Sequence, residues 1–177
     1  MGWRQWVQYP KIVRRFQKSD DGVTAVEFAI VGGPFFLLLF AIIESSLFFF
    51  AGQYLESTVD DVTRLFRTGQ FNTETTEQEF RDEFCSRLVV MFTCADVRTE
   101  IQAVADFDDL TDPEEPDDEG ELGDSSFTAT DALQVIQVSA QYKWPVFTNY
   151  AAPLVDTPDG NFALIQVVSV TRAEPYK

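Results

Sequence analysis

The longest apolar stretch of the chain lies near its N-terminus. Residues 28–43 contain no charged side chain, and apolar residues resume after Glu44 and continue to Ala51. A bilayer core of roughly 30 Å is crossed by about 20 mainly apolar residues in a helix. A helix that is apolar on every side belongs in lipid or in a very large core. We therefore predict a transmembrane helix rather than the buried helix of a soluble protein.

Beyond residue 50 the apolar positions narrow to a single stripe. The members of the stripe recur at spacings of three and four residues: Ala51, Leu55, Val59, Val62 and Phe66. Such spacing is typical of an exposed helix with one apolar face. Gly69 follows as a candidate left-handed cap. The sequence therefore predicts one continuous segment over residues 23–69, in which the membrane helix extends into an exposed helix.

A second helix is predicted shortly after this segment. Two overlapping capping-box patterns begin at Thr75 and Thr76, and Phe80, Phe84 and Leu88 then follow at intervals of four residues. A capping box followed by apolar residues at helical spacing indicates a helix start. We expect this helix to run to about residue 92.

Three strand candidates follow, at residues 97–107, 132–144 and 161–171. The second and third mix alternating polarity with β-branched residues, a pattern that favours strands. The expected fold class is α+β: a long N-terminal transmembrane helix, a second helix and a small antiparallel β-sheet. Residues 70–177 would form one domain outside the membrane, and the order of its strands stays open.

An acidic segment, residues 106–124, separates the first two strand candidates. It contains eleven acidic residues and two prolines. This composition is typical of a solvated or disordered loop. Clustered carboxylates also suit calcium, but the EF-hand pattern requires glycine at its sixth position, where Thr111 stands if the loop begins at Asp106. The segment is therefore expected to be a loop, and cation binding by it stays an open alternative.

Composition excludes several classes of function. The 13 basic and 29 acidic residues give a formal net charge of −16. Nucleic-acid binding depends on neutralising phosphates with basic residues, so no nucleic-acid partner is expected. The chain has no histidine, which removes the commonest general base and zinc ligand. We expect neither an enzyme nor a cofactor or metal site.

Charge is also distributed unevenly around the apolar run. Residues 1–22 carry five basic and two acidic residues, whereas the remainder of the chain is strongly acidic. Basic residues before a membrane segment favour retention of that end in the cytoplasm. The apolar run is too long for a secretory signal peptide, and no small-residue cleavage site follows it. We predict a single-pass protein with a cytoplasmic N-terminus and an external C-terminal domain.

The junction between the basic segment and the apolar run reads Gly22-Val-Thr-Ala-Val-Glu27-Phe28-Ala-Ile-Val, and Pro34 lies further along the run. This stretch, with the helix that follows it, resembles the TadE-like family of Flp/Tad (tight adherence) pilus assembly proteins over roughly residues 20–69. The resemblance implies cleavage between Gly22 and Val23 by a prepilin peptidase, an aspartic membrane protease, which removes a leader of residues 1–22. Phe28 stands where major Flp pilins have tyrosine, which implies a minor pilin or pseudopilin.

The same resemblance implies partners and a location. The partners would be the prepilin peptidase, other pilins and pseudopilins, the Tad inner-membrane assembly machinery and membrane lipid. The chain would reside in the bacterial inner membrane with its C-terminal domain in the periplasm, and would serve pilus biogenesis and cell adhesion, with association with the pilus itself left open. The alternative is an uncleaved, membrane-anchored periplasmic binding module.

Three further residues have predicted roles. A carboxylate costs at least about 2.5–3.5 kcal/mol at the centre of a membrane helix, so Glu27 is expected to have a function. Our hypothesis is that Glu27 neutralises the Val23 amino group that cleavage would expose, in its own chain or in a neighbouring subunit. Cys85 and Cys94, the only cysteines, are expected to form a disulfide because the predicted topology places them in an oxidising compartment.

Overall fold

The structure is a computed structural model that describes residues 22–88, 91–117, 120–146 and 162–175. Its helices are α1 (Val23–Arg67) and α2 (Glu77–Arg87). Its strands are β1 (Val97–Val104), β2 (Val135–Pro145) and β3 (Phe162–Arg172). The predicted α+β class is confirmed. The predicted leader lies outside the described residues, except for Gly22.

The chain divides into two compact units, and the boundary between them falls inside α1, between Phe40 and Ala41. In the first unit, α1 is covered with exposed apolar side chains. Pro34 lies inside the helix, and because proline has no backbone N–H it cannot donate the usual bond to the carbonyl of Ile30. The helix nevertheless continues past this residue.

The second unit contains the rest of α1, and here the predicted apolar stripe is confirmed. All five of its members have 0% exposure: Ala51, Leu55, Val59, Val62 and Phe66. The stripe packs against the sheet and α2 in one hydrophobic core. Burial of these side chains stabilises the helix far more than the intrinsic helix propensity of its residues does, because propensity alone leaves an isolated helix only marginally stable in water.

The C-terminus of α1 is fixed by a glycine cap, as the sequence predicts. Gly69 has a φ of 73°, a left-handed conformation that costs other residues more than glycine. The amide of Gln70 donates to the carbonyl of Leu65, and the amide of Gly69 donates to that of Phe66. These two bonds form a Schellman motif. The chain therefore turns sharply here and brings Phe71 against Phe66, with ring centroids 5.1 Å apart.

Helix α2 begins at the second of the two predicted capping boxes. The Thr76 hydroxyl accepts from the Glu79 amide, and the Glu79 carboxylate accepts from the Thr76 amide at 2.8 Å. The prediction that this helix reaches residue 92 is wrong, since α2 ends at Arg87 and Leu88 is extended. The physical reason is that Phe92 is buried against Tyr142, which requires the chain to leave the helix.

The three strands form an antiparallel sheet in the order β1-β2-β3. Each strand overlaps its prediction; the end of β1 and the start of β2 each differ from it by three residues, and the ends of β2 and β3 by one. Strand β1 stops at Val104 because a short 3₁₀ turn follows at Phe107–Asp109. Strand β2 begins at Val135 because Leu133, inside the preceding turn, has a φ of 68°. The predicted start of the third strand, Asn161, lies outside the described residues.

The sheet has one apolar face and one polar face. Register places Val97, Ile101, Val138, Tyr142 and Ile165 on the face that packs on the helices. The opposite face carries a polar ladder in which Arg98, Gln141 and Gln166 are neighbours. Both faces of β2 are buried, because the acidic segment covers part of the polar face.

Candidate processing junction and membrane span

The candidate cleavage site lies at the start of α1. Gly22 is exposed and immediately precedes the helix, which begins at Val23. A Cβ atom at Gly22 would have no heavy atom within 4 Å, so the glycine is not required by packing among the described residues. Val23 is also exposed. The bond between them is therefore accessible at a junction where the helix has not yet begun.

Glu27 lies one turn after Val23 on the same helix. Residues four apart in a helix lie on the same face. The Glu27 side chain is exposed, and within the described part of the chain it has no hydrogen bond or ion pair. The free amino group that cleavage would create carries a positive charge at the positive end of the helix dipole, an unfavourable position. A carboxylate one turn away would offset this charge.

The residues after Glu27 expose large apolar side chains on every side of α1. Phe28, Ile30 and Val31 are each about 70% exposed or slightly less. Exposed apolar residues continue along the helix to Phe50. The helix is long and apolar enough to cross a membrane. Because water is a poor solvent for such a surface, lipid or another apolar helix is its expected environment.

A disulfide closes the corner between α2 and β1. Cys85, near the end of α2, is bonded to Cys94, which begins a short turn leading into β1. The predicted pairing and its position are confirmed.

Next to this corner Tyr142 is largely buried. Burial raises the pKa of its phenol, and the negative charge of Asp96 raises it further, while a hydrogen bond with the Thr93 backbone acts in the opposite direction. Tyr142 is therefore neutral at physiological pH.

The acidic segment is more ordered than its composition suggests. Its described residues, 106–117 and 120–124, lie against the polar face of the sheet through hydrogen bonds from Gln137 and Gln141 to the carbonyls of Thr111 and Glu114. Pro113 is buried. As predicted, these residues form a loop without strands or α-helices, and their carboxylates are exposed, but the hydrogen bonds that hold the loop on the sheet were not predicted.

One side chain that the sequence does not single out holds this segment in place. The Arg98 side chain is only 6% exposed, and its Nη2 atom lies 2.7 Å from Glu114 Oε2. Its other nitrogens donate to Gln141 Oε1 and to the carbonyls of Glu114 and Asp124. Gly123 leaves room for this pair, since a Cβ there would lie 2.8 Å from Glu114 Oε2. An arginine within a predicted strand, followed by an acidic segment, was the available signal.

The carboxylates do not converge into a metal site in the described residues. There, no group of three or more aspartate, glutamate or cysteine side chains is placed to hold an ion. Glu114 is paired with Arg98, and Glu121 lies 2.8 Å from the Lys143 ammonium. These pairs satisfy carboxylates with protein cations instead.

These features define a class of protein: a chain whose described residues include one helix able to span a membrane, which continues into an α+β unit that contains a disulfide. The comparison with protein families makes the relation more specific. The family model described as TadE-like protein matches residues 22–64. The match begins at Gly22 and ends within α1, so it confirms the resemblance over the junction and the span. No match was found among curated proteins or among solved structures.

Proposed function

We propose that this chain is a minor pilin or pseudopilin that acts in the assembly of a Tad-type pilus and has no enzymatic activity. A prepilin peptidase cuts it between Gly22 and Val23. Its N-terminus faces the cytoplasm, and residues 70–177 lie in the periplasm. Its partners are the peptidase, other pilins or pseudopilins, the inner-membrane machinery of the system and lipid.

The observation that supports this proposal is the register of three features, one just before α1 and two along it. An exposed glycine precedes the first helical residue, a glutamate follows one turn later, and an exposed apolar surface then continues to Phe50. The TadE-like match begins at the same glycine. A generic membrane anchor requires the apolar surface but neither the glycine nor the glutamate.

The experiment that tests processing is mass spectrometry of the N-terminus of the membrane-bound chain, from cells with and without active prepilin peptidase. A chain that begins at Val23 only when the peptidase is active is the expected result. Gly22→Val should block cleavage, since a branched side chain replaces the absent one next to the cut bond. Gly33→Val is the matched control, because a Cβ at Gly33 also meets nothing within 4 Å.

An intact Met1 in both strains would contradict the proposal. It would favour the uncleaved binding module, for which calcium titration of the full chain is then the appropriate measurement.

The role of Glu27 needs a separate measurement. Glu27→Gln removes the charge but keeps the shape, so cleavage should still expose Val23. Assembly should fail because the new amino group has lost its counter-charge. The readout is the amount of surface pilus at unchanged processing. Glu44→Gln, a second carboxylate of α1, serves as the control, and equal pilus loss in both variants would contradict a specific role for Glu27.

A further inference from the structure

Among the described residues, strand β3 is an open edge of the sheet, whereas β1 is covered at its middle. On the outer side of β1, the amide of Ser126 donates to the Thr99 carbonyl, and the Ile101 amide donates to the Ser126 carbonyl. This bridge occupies outward-facing backbone groups of Thr99 and Ile101. Strand β3 has no such cover among the described residues, because its one neighbour in the sheet is β2.

Alternation shows which backbone groups of β3 face outward. The Ala173 amide donates to the carbonyl of Gln134, its partner when the register is extended by one pair. In an antiparallel pair the hydrogen-bonded residues alternate, so the N–H and C=O groups of odd-numbered residues in β3 point toward β2, and those of even-numbered residues point toward the open edge. The outward groups therefore belong to Leu164, Gln166, Val168 and Val170. Across the described residues, their N–H and C=O groups have no hydrogen-bond partner.

The sequence of this edge lacks the usual protection against strand pairing. Edge strands are normally short, charged, bulged or interrupted by proline. Strand β3 has eleven residues, and none from Ala163 to Thr171 is charged or a proline. Val168 and Val170 are more than 40% exposed. Such an edge is a template for a further strand.

Two cavities lie beside the open edge, between β3 and α1, and we call them together the β3 groove. The first, about 390 Å³, is lined by Phe48, Phe49 and Gly52 opposite residues 164–168. The second, about 380 Å³, is lined by Asp60, Thr63 and Arg64, among others, opposite residues 169–171. A fourth strand at the edge would lie in this groove and pack on α1.

Two polar features of the groove lack partners within the described residues. The Thr63 hydroxyl is buried and makes no hydrogen bond. A buried polar group without a partner is costly, and a polar group supplied by an incoming chain would satisfy it. Glu56 and Asp60, four residues apart on the groove wall, form no ion pair. Like charges at this spacing are unfavourable, so a basic side chain would be attracted there.

A second copy of this chain does not fit the edge. Residues 48–56 of α1 lie beside the first half of β3 and residues 60–67 beside its second half, so β3 and this part of α1 run in the same direction. The β3 strand of a second copy would bring no basic residue opposite Glu56 and Asp60, because residues 163–171 carry no charge.

From these observations, and resting on the proposed pilus function, we propose that an extended segment of a different protein of the same system adds to β3 as a fourth, antiparallel strand. The segment carries apolar residues where it passes Phe48 and Phe49 and a basic residue where it passes Glu56 and Asp60. It has no acidic residue between these two positions. It runs from the Asp60 side of the β3 groove toward Phe48 and Phe49. The new strand converts the three-stranded sheet into a four-stranded one that rests fully on α1.

The test places a photo-reactive residue at position 164 or 170 of the full chain, in membranes of cells that express the complete pilus system. Cross-linked peptides are then mapped by mass spectrometry. The expected result is one partner protein whose cross-linked position moves by about six residues, in the opposite chain direction, when the probe moves from 170 to 164. Adducts to a second copy, to lipid alone, or with no such shift would overturn the proposal.

Edge variants sharpen the test. Val168→Pro removes one outward N–H and should lower the cross-linked fraction about fivefold or more, with β2 pairing intact. Val168→Lys places a charge at the edge and should act in the same direction if the proline variant fails to fold. Leu133→Lys, exposed and outside the groove, is the control and should leave the yield unchanged.

The result separates this proposal from the function it rests on. If the chain begins at Val23 but the cross-linked position does not shift with the probe, strand addition is overturned and pilin processing stands. If the cross-linked position shifts with the probe but the chain is uncleaved, pilin processing is contradicted and strand addition stands.

Discussion

At the scale of single residues, Arg98 decides whether the acidic segment is a loop in solvent or part of the domain. Its guanidinium is buried between Glu100, Glu114 and Gln141 and also binds two main-chain carbonyls. A buried cation is expensive unless carboxylates and carbonyls compensate it, and here they do so from both sides. Together with Gln137 and Gln141, Arg98 thus holds the described residues of the acidic segment against the sheet.

We predict that Arg98→Met lowers the free energy of unfolding by about 3 kcal/mol, because it leaves buried acceptors without donors. Protease sensitivity of residues 106–124 should rise at the same time. The measurement is a denaturant titration of the detergent-solubilised chain together with limited proteolysis. Arg172→Met is the control: its pair with Asp106 is largely exposed and should be worth less than about 1 kcal/mol. Equal effects in the two variants would refute the assigned role.

At the scale of elements, the start of α2 depends on the ionised form of one side chain. Hydrogen bonds from the Thr76 backbone and hydroxyl to Glu79 lower the pKa of that carboxyl below its ordinary value of 4.5. A lowered pKa in the folded state means that the folded protein prefers the ionised form. The stabilisation is therefore complete above about pH 4.5 and is lost as the pH falls through the lowered pKa.

The corresponding prediction concerns the variant Glu79→Ala. Its denaturation midpoint should lie below that of the parent chain at neutral pH, and the difference should shrink as the pH falls below about 4.5. Denaturant titrations across this range provide the measurement. Glu77→Ala removes a carboxylate from the same turn without removing the capping box, so its effect should be smaller. A difference that grows toward acid pH would contradict the assignment.

The elements also show what the sequence can and cannot specify. The stripe from Ala51 to Phe66 is predicted residue by residue because helical spacing is a local signal. The end of α2 is not, because it depends on the packing of Phe92 against β2 and on the disulfide at Cys94. The order of the acidic segment is missed for the same reason, since Arg98 and Gln141 meet only through strand pairing.

The candidate site follows the same rule. Gly22 directly precedes the helix that contains Glu27 and the span, so their register could be read from the sequence before any fold was known. The β3 groove could not, because it is formed by residues more than a hundred positions apart in the chain. Its open edge depends on which strand is terminal in the sheet, and strand order has no local signal.

At the scale of the whole molecule, the distribution of charge should decide which side of the membrane the domain occupies. Arg4, Lys11, Arg14, Arg15 and Lys18 precede the span, whereas Arg64 and Arg67 are the first basic residues after it. Basic residues close to a span favour the cytoplasmic side. If glutamine replaces all of the first group except Arg4, one basic residue remains before the span, and Arg64 and Arg67 follow it. The charge bias would then favour the orientation with the C-terminal domain in the cytoplasm.

We therefore predict that the glutamine variant leaves a fraction of the chains with residues 70–177 in the cytoplasm. The disulfide provides the readout, because Cys85 and Cys94 stay reduced in the cytoplasm and then react with a maleimide. The control exchanges each lysine for arginine, and each arginine for lysine, at the same four positions and should keep the bond fully formed. If the glutamine variant also forms the disulfide in every chain, the leader charges do not set the orientation. The acidic domain itself would then be the remaining determinant to test.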